Sequence, residues 1–289
     1  MNDHEPDYVY EPFADTPEYL DVNRSIIREW IDALVAAGSK GVSSLLDLGS
    51  GVGTMVQLFV QNLPREWPQP SVTCVDLCGE ALEHAKRRLA PLVRSLRVMK
   101  SPVEKLETAR TYDVAMWGNG IHYLEESQLR IAMTKVRDAL KDGGWFFFNS
   151  AFTEESRPAE TMPFYRAQIH RAMRHLRSLG VEREKRRAAP ESSRFLPAQH
   201  YEAVLKDVGF AVEAMQTTAV RLYQTAWEHI SGFAQYASGA LHGYPADLAG
   251  AAMRESVGPA IEEYGQRDEE NRPFISRRWL SGIARSRTS

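Results

Sequence analysis

An α/β chain wound on both sides of a mostly parallel sheet is what these 289 residues encode, and three patterns carry that reading. The apolar run Val42 to Leu48 closes around Asp47, breaks into glycines at 49, 51 and 53, and resumes with Met55, Val56, Phe59 and Val60 at helical spacing. That is a buried strand, a tight turn and the opening of a helix. One helix further on, Ser71 to Val75 forms a second strand that ends at Asp76. The same alternation of strand and helix then continues to Asn149.

The elements follow in order. The polar stretch after Asp76 leads into a helix from Glu80 to Leu89, and Leu96 to Met99 reads as a third strand. Tyr112 to Trp117 is the fourth, followed by the loop Gly118-Asn119-Gly120 and by His122. A helix from Glu126 to Leu140 reaches the turn Gly143-Gly144 and a fifth, aromatic strand from Trp145 to Asn149. Beyond it the alternation stops. Phe164 to Leu179 is amphipathic, with Pro163 in its first turn and Gly180 at its end. Arg183 to Arg194 reads as a loop, Leu196 to Val208 as a helix and Gly209-Phe210 as the start of a strand reaching Val220. Trp227 to Leu241 reads as one more helix and Ile275 to Ala284 as the last strand. The expected organisation is an N-terminal lid and helix at 1–40, a core at 41–150, a helical cap at 151–208, and strands completing the sheet at 209–289 with a second helical insertion.

Composition excludes several classes. Charged residues at 25% and hydrophobic ones at 43% are ordinary for a globular chain. A net charge of -3 offers no whole-protein affinity for nucleic acid or an anionic membrane. The two cysteines, Cys74 and Cys78, make neither a zinc site nor a disulfide framework and read as buried free thiols. Met1 to Asp7 is polar and acidic, unlike a signal peptide, and no apolar run approaches the roughly 18 residues of a membrane span. The expectation is a soluble, cytoplasmic protein without a metal.

Glycines at alternate positions point to close approach of backbone to a ligand, because a Cβ would fill the ligand's space. The helix opening at the same place offers free N–H groups. A dinucleotide fingerprint would need glycine at Thr54, or a small residue at Val56 in the alternative frame, and neither is present.

The pattern Asp47-x-Gly49-x-Gly51-x-Gly53 resembles the first motif of class I S-adenosylmethionine-dependent methyltransferases. The acid at Asp76, the acidic segment after the third strand, the loop after the fourth and the Gly-Gly turn before the fifth resemble the same family in the same order. The resemblance implies a Rossmann-like, doubly wound seven-stranded sheet, mostly parallel with an antiparallel last strand, plus helical cap insertions. It implies S-adenosyl-L-methionine as cofactor, held by Asp47, Gly49, Ser50, Gly51, Gly53, Asp76, Leu77, Val103, Glu104, Gly118 and Asn119. Asp76 would accept from the ribose hydroxyls, or serve as the N-cap of the helix that follows. Gly118 and Gly120 would let backbone reach the methionine part.

Methyl transfer from a sulfonium asks for proximity, in-line geometry and at most one general base. His122 is the candidate base, since an imidazole titrates near neutrality, with a structural histidine as the alternative. Tyr10, Tyr19, Tyr165 and His200 are candidate substrate residues, and His170 is a further cap histidine. Most of the flanking aromatics would be helix core, and a minority would line an apolar chamber closed by the segment Tyr8 to Tyr19. The basic stretch Arg166 to Arg187 reads either as a solvated face or as a dock for an anionic substrate or acidic carrier protein. The reading is a methyltransferase acting on a mid-sized, partly apolar small molecule of natural-product or secondary metabolism, with no nucleic-acid partner and a homodimer left open. The alternative is an enzyme of the same fold that uses the cofactor for cyclisation or decarboxylation.

Overall fold

The computed structural model describes residues 11–107, 109–184 and 195–287. Eight strands form one sheet: β1 (Ser44–Leu48), β2 (Ser71–Asp76), β3 (Ser95–Lys100), β4 (Tyr112–Gly118), β5 (Leu140–Ser150), β6 (Phe210–Tyr223), β7 (Gln266–Arg267) and β8 (Pro273–Ser286). Their order is β3-β2-β1-β4-β5-β8-β6, with the two-residue β7 added to β8. The first five run parallel, and β8 runs antiparallel to both β5 and β6. The mostly parallel, doubly wound sheet with an antiparallel last strand is thus present, and it carries one small strand more than expected.

Eleven helices accompany it among the described residues: α1 (Glu11–Ala14), α2 (Pro17–Ala36), α3 (Thr54–Asn62), α4 (Gly79–Leu89), α5 (Glu126–Ala139), α6 (Met162–Ser178), α7 (Ala198–Asp207), α8 (Gln224–Gly232), α9 (Ala234–Ala240), α10 (Ala246–Glu255) and α11 (Val257–Tyr264). The stretch expected as one helix from Trp227 is broken in two at Phe233, whose backbone is extended. Helices α10 and α11 were not anticipated. Both are short, and they are held by packing against α6.

Period-two alternation divides the core. Leu45, Met116 and Phe147 face α2, α3 and α4, whereas Leu46, Trp117, Phe146 and Phe148 face α5 and α7. On the first face Trp30 of α2 stacks on Phe147 at 5.3 Å and donates its Nε1–H to Ser281 Oγ at 2.9 Å. On the second, Phe148 lies over Gly282, where any Cβ would fall 2.0 Å from its ring. A third, smaller cluster (Leu176, Leu241 and Met253 among its members) joins α6 to the helices between β6 and β8. These helices form the cap over the carboxyl ends of β4 and β5, where loops of such sheets bind ligands. Cys74 and Cys78 are buried and unbonded to each other, and burial pushes the Cys74 thiol well up.

Candidate active site

The glycine turn is built by backbone geometry. Gly49, Gly51 and Gly53 all have positive φ, at 58°, 50° and 80°. A side chain is strained in that region. Two of the three also admit a neighbour: a Cβ on Gly53 would lie 2.7 Å from Leu89, and one on Gly49 would lie 3.1 Å from the Trp117 indole nitrogen. A Cβ on Gly51 would meet nothing within 4 Å. Gly51 is therefore the position whose missing side chain leaves an open cradle. Buried Ser50 ties the turn to β2 by donating its N–H to Val75 O at 3.1 Å.

Asp76 holds this turn from the next strand. Its carboxylate accepts from Gly51 N–H and from Cys78 N–H, each at 2.8 Å. The N-cap of α4 is Cys78, so Asp76 braces the loop where capping had been the alternative. Beside it Leu77 is 56% exposed, an apolar side chain left against solvent at the rim. Val103 and Glu104 sit on a short 3-10 turn after β3, Val103 packed inward and Glu104 half-exposed. Asp47 is buried under the turn with Oδ2 lacking a hydrogen-bond partner. Burial, reinforced by the charge of Asp76, raises its pKa well above the usual carboxylate range. An orphaned buried carboxyl beneath an open glycine cradle fits a ligand that brings N–H or ammonium donors, as the amino-acid end of S-adenosylmethionine does.

The loop after β4 corrects one expectation. A Cβ on Gly118 would lie 2.5 Å from Met55, and one on Gly120 2.3 Å from the Trp117 indole. These glycines make room for packed side chains, so the argument that they clear a path for a ligand does not hold. Asn119 has φ 51° and is fixed from every side. Its N–H donates to Asn149 Oδ1 at 2.8 Å, its Nδ2 to Tyr19 Oη at 3.3 Å, and its Oδ1 accepts from Ala151 N at 3.1 Å. Asn149 in turn donates to Asn23 of α2 at 2.6 Å. This buried amide network locks the ends of β4 and β5 to α2. Asn23 and Asn149 escaped sequence reasoning, because an isolated asparagine carries no periodic signal.

His122 is buried on the short helix Ile121–Tyr123, between the rings of Tyr123 (4.1 Å) and Phe152 (4.5 Å). Its Nδ1 lies 3.0 Å from Ser150 Oγ, and its Nε2 is buried without a partner. Burial, and then the Arg277 charge, push its pKa down to about 3. The expectation of an imidazole titrating near neutrality is overturned, because no solvent or carboxylate supports its protonated form.

Next to His122 the cap encloses a cavity of about 160 Å³ lined by Tyr123, Phe152, Tyr165, Phe195, Tyr236 and two arginines, Arg157 and Arg277, among others. Of the candidate substrate residues Tyr165 is in its wall. Tyr19 is buried in the amide network, and Tyr10 lies outside the described residues. His200 is elsewhere: α7 packs on α5 across the other face of the sheet, and Nε2 lies 2.7 Å from Glu126. His170 is exposed on α6. Neither Arg157 nor Arg277 was singled out from sequence. A signal existed for Arg277, since it shares strand parity with buried Ile275 and Trp279.

Residues 45–144 match a family described as a methyltransferase domain, and the strand order, the glycine turn and the bracing acid are those expected of class I S-adenosylmethionine-dependent methyltransferases. S-adenosylmethionine is the cofactor of that class. A malonyl-(acyl-carrier protein) O-methyltransferase from Priestia megaterium is 26% identical over 138 residues, 46% of this chain and 45% of that protein. The alignment therefore spans less than half of that relative's length. Among solved structures, a Bacillus halodurans protein held to be a candidate methyltransferase superposes with a TM-score of 0.55 at 12% identity, covering 89% of this chain and 99% of its own. The YcgJ protein from Bacillus subtilis gives 0.52 at 14% identity, with 90% and 99% covered. The 4+2 cyclase SpnF gives 0.52 at 16% identity, with 91% and 82% covered. At such identities the likeness establishes the fold.

Proposed function

We propose that this protein methylates a mid-sized, partly apolar small molecule seated in the aromatic cavity beneath the cap. The observation that carries the proposal is placement. The cavity wall begins at Tyr123 and Phe152, just past the ends of β4 and β5, and β4 is paired with β1, which leads into the glycine turn. When bound, S-adenosylmethionine supplies an electrophilic methyl group on a sulfonium. Gly51, Asp76 and Asp47 would hold it, with Leu77, Val103 and Glu104 along its nucleoside side. The cavity residues orient the acceptor and keep water out, which is most of what a direct displacement needs. His122, neutral and sealed behind Tyr123 and Phe152, supports these walls more readily than it serves as a base.

At 160 Å³ the cavity is smaller than the roughly 300–1,000 Å³ of drug-sized ligand sites. It suits a compact metabolite, or one end of a larger one. The outer face of α6 supports the second case. Arg171 and His175 pair with Glu263 and Glu255, whereas Arg166, His170, Arg174 and Arg177 form an exposed stripe with no acidic partner among the described residues. Arg183 donates to His242 O, and residues 185–187 of the basic stretch lie outside the described residues. The stripe fits an acidic carrier delivering the acceptor, the kind of substrate named in the Priestia megaterium relative.

Calorimetry with S-adenosylmethionine and S-adenosylhomocysteine, on wild type and Asp76→Ala, tests the cofactor assignment, and unchanged affinity in the variant would remove Asp76 from the site. Incubation with methyl-labelled cofactor and candidate acceptors tests the reaction. Product formed without label transfer would favour cyclisation or decarboxylation over methylation.

A further inference from the structure

The aromatic cavity holds two cations and no anion. Arg277 is 3% exposed, on the inward side of β8. It donates Nε and Nη2 to Ala151 O and Nη1 to Tyr165 Oη, and its guanidinium lies 4.8 Å from the Phe152 ring centroid. Arg157 enters from the segment after β5, its guanidinium 3.6 Å from the centroid of Phe195 and 5.8 Å from that of Tyr165. Among the described residues neither arginine has a carboxylate partner, and the Arg157 guanidinium has no hydrogen-bond acceptor at all.

A purely structural account covers Arg277, which fixes the chain at Ala151. It does not cover Arg157. Arg157 is half-buried, and the hydration its guanidinium gives up there is only partly returned by contact with an aromatic face. Setting a second guanidinium beside it adds repulsion: burial lowers Arg157's pKa, Tyr165 opposes the shift, and the Arg277 charge adds to it. The hydroxyls add donors. Tyr165 Oη accepts from Arg277 and keeps its own proton to give, and burial pushes the Tyr236 and Tyr123 hydroxyls upward, so they stay protonated. The polar side chains in this wall thus each have a proton to donate and none is an anion, facing a small space otherwise lined by rings.

We propose that the cavity is a carboxylate-binding subsite in which Arg157, Arg277 and the Tyr165 hydroxyl hold an anionic end of the ligand while Phe152, Phe195 and Tyr236 pack against its apolar body. A planar carboxylate matches the two-pronged fork of an unengaged guanidinium. Naming that ligand the methyl acceptor rests on the proposed function; the anion subsite itself does not.

The test uses the full-length protein and three probes, benzoate, phenylacetate and 3-phenylpropanoate, each beside its primary amide. Binding is measured by calorimetry at neutral pH, with and without saturating S-adenosylhomocysteine. At least one carboxylate should bind about tenfold or more tighter than its amide. Arg157→Met, which keeps the stem that packs on Phe195, should reduce that preference to below about twofold, and Arg157→Lys should keep part of it. Should the Met variant not fold, Arg157→Gln is read in its place. No preference for any carboxylate, or a preference undiminished in the variant, overturns the proposal, as does tighter binding of phenylphosphonate than of every carboxylate. Failure of S-adenosylhomocysteine to bind would count against the methyltransferase reading alone, because the probe series without it still reads the subsite.

Discussion

Alanine at Gly51 and alanine at Gly53 should separate ligand binding from stability, although the two glycines lie two residues apart in one turn. Both have positive φ, 50° and 80°, so each substitution carries a left-handed backbone cost of about 1–2 kcal/mol. At Gly51 the new methyl meets no protein atom within 4 Å. At Gly53 it falls 2.7 Å from Leu89 Cδ1 and 3.4 Å from Ala85 Cβ, in a region where Leu89 is fully buried. Overpacking of that kind adds about 1–3 kcal/mol. At roughly 2–4 °C per kcal/mol for large domains, Gly51→Ala should lower the melting temperature by about 2–8 °C and Gly53→Ala by about 4–20 °C. Affinity for S-adenosylhomocysteine should follow the opposite order. The Gly51 methyl projects into the open cradle and should cost tenfold or more, whereas the folded fraction of Gly53→Ala should bind within a few-fold of wild type. Differential scanning calorimetry and titration calorimetry on the same samples read both quantities. Unaltered affinity in Gly51→Ala would refute the placement of the cofactor at this turn.

Two further outcomes follow from buried ionisable groups. His122 has its pKa pushed down to about 3 in the folded chain and regains about 6.5 when unfolded, so between those values the unfolded chain binds more protons and stability falls as pH falls. The full effect is on the order of 5 kcal/mol by pH 3; His122→Gln should lose much of that acid sensitivity in urea titrations at pH 7 and pH 4, and a pH–rate profile of the wild type should show no imidazole limb near neutrality. Asp47 has the opposite sign: its folded pKa is raised, so its ionisation weakens the fold as pH rises above about 4. Asp47→Asn should therefore be more stable than wild type at pH 8, by a margin that narrows towards pH 4, while binding S-adenosylmethionine less well; equal thermal stability at pH 8 would contradict an uncompensated charge there.

Local rules suffice for the cofactor-binding half of the molecule. A turn that needs φ above zero at alternate positions admits little but glycine, so Gly49, Gly51 and Gly53 announce it in one dimension. Strands buried on both faces must be apolar throughout, and an acid at the tip of the second is legible from its distance to the turn. Those requirements act over a few residues, and the mostly parallel sheet with an antiparallel last strand that they lead one to expect is the one observed. The cap obeys no such rule. Its cavity draws on the loops after β4 and β5, on α6, on the segment before α7, on α9 and on β8, and burial there is decided by which helices close over it. A buried arginine and a solvated one are the same letter: Arg277 turns inward and Arg278 outward because strand neighbours point to opposite faces. His122 and His200 show the same limit. The sequence offered His122 as a base and His200 as a substrate residue, yet one is sealed between two rings with its basicity suppressed and the other is paired with Glu126 across the far face of the sheet. Protonation and access depend on how much water and which charges surround a side chain, and the packing of segments distant in sequence settles both.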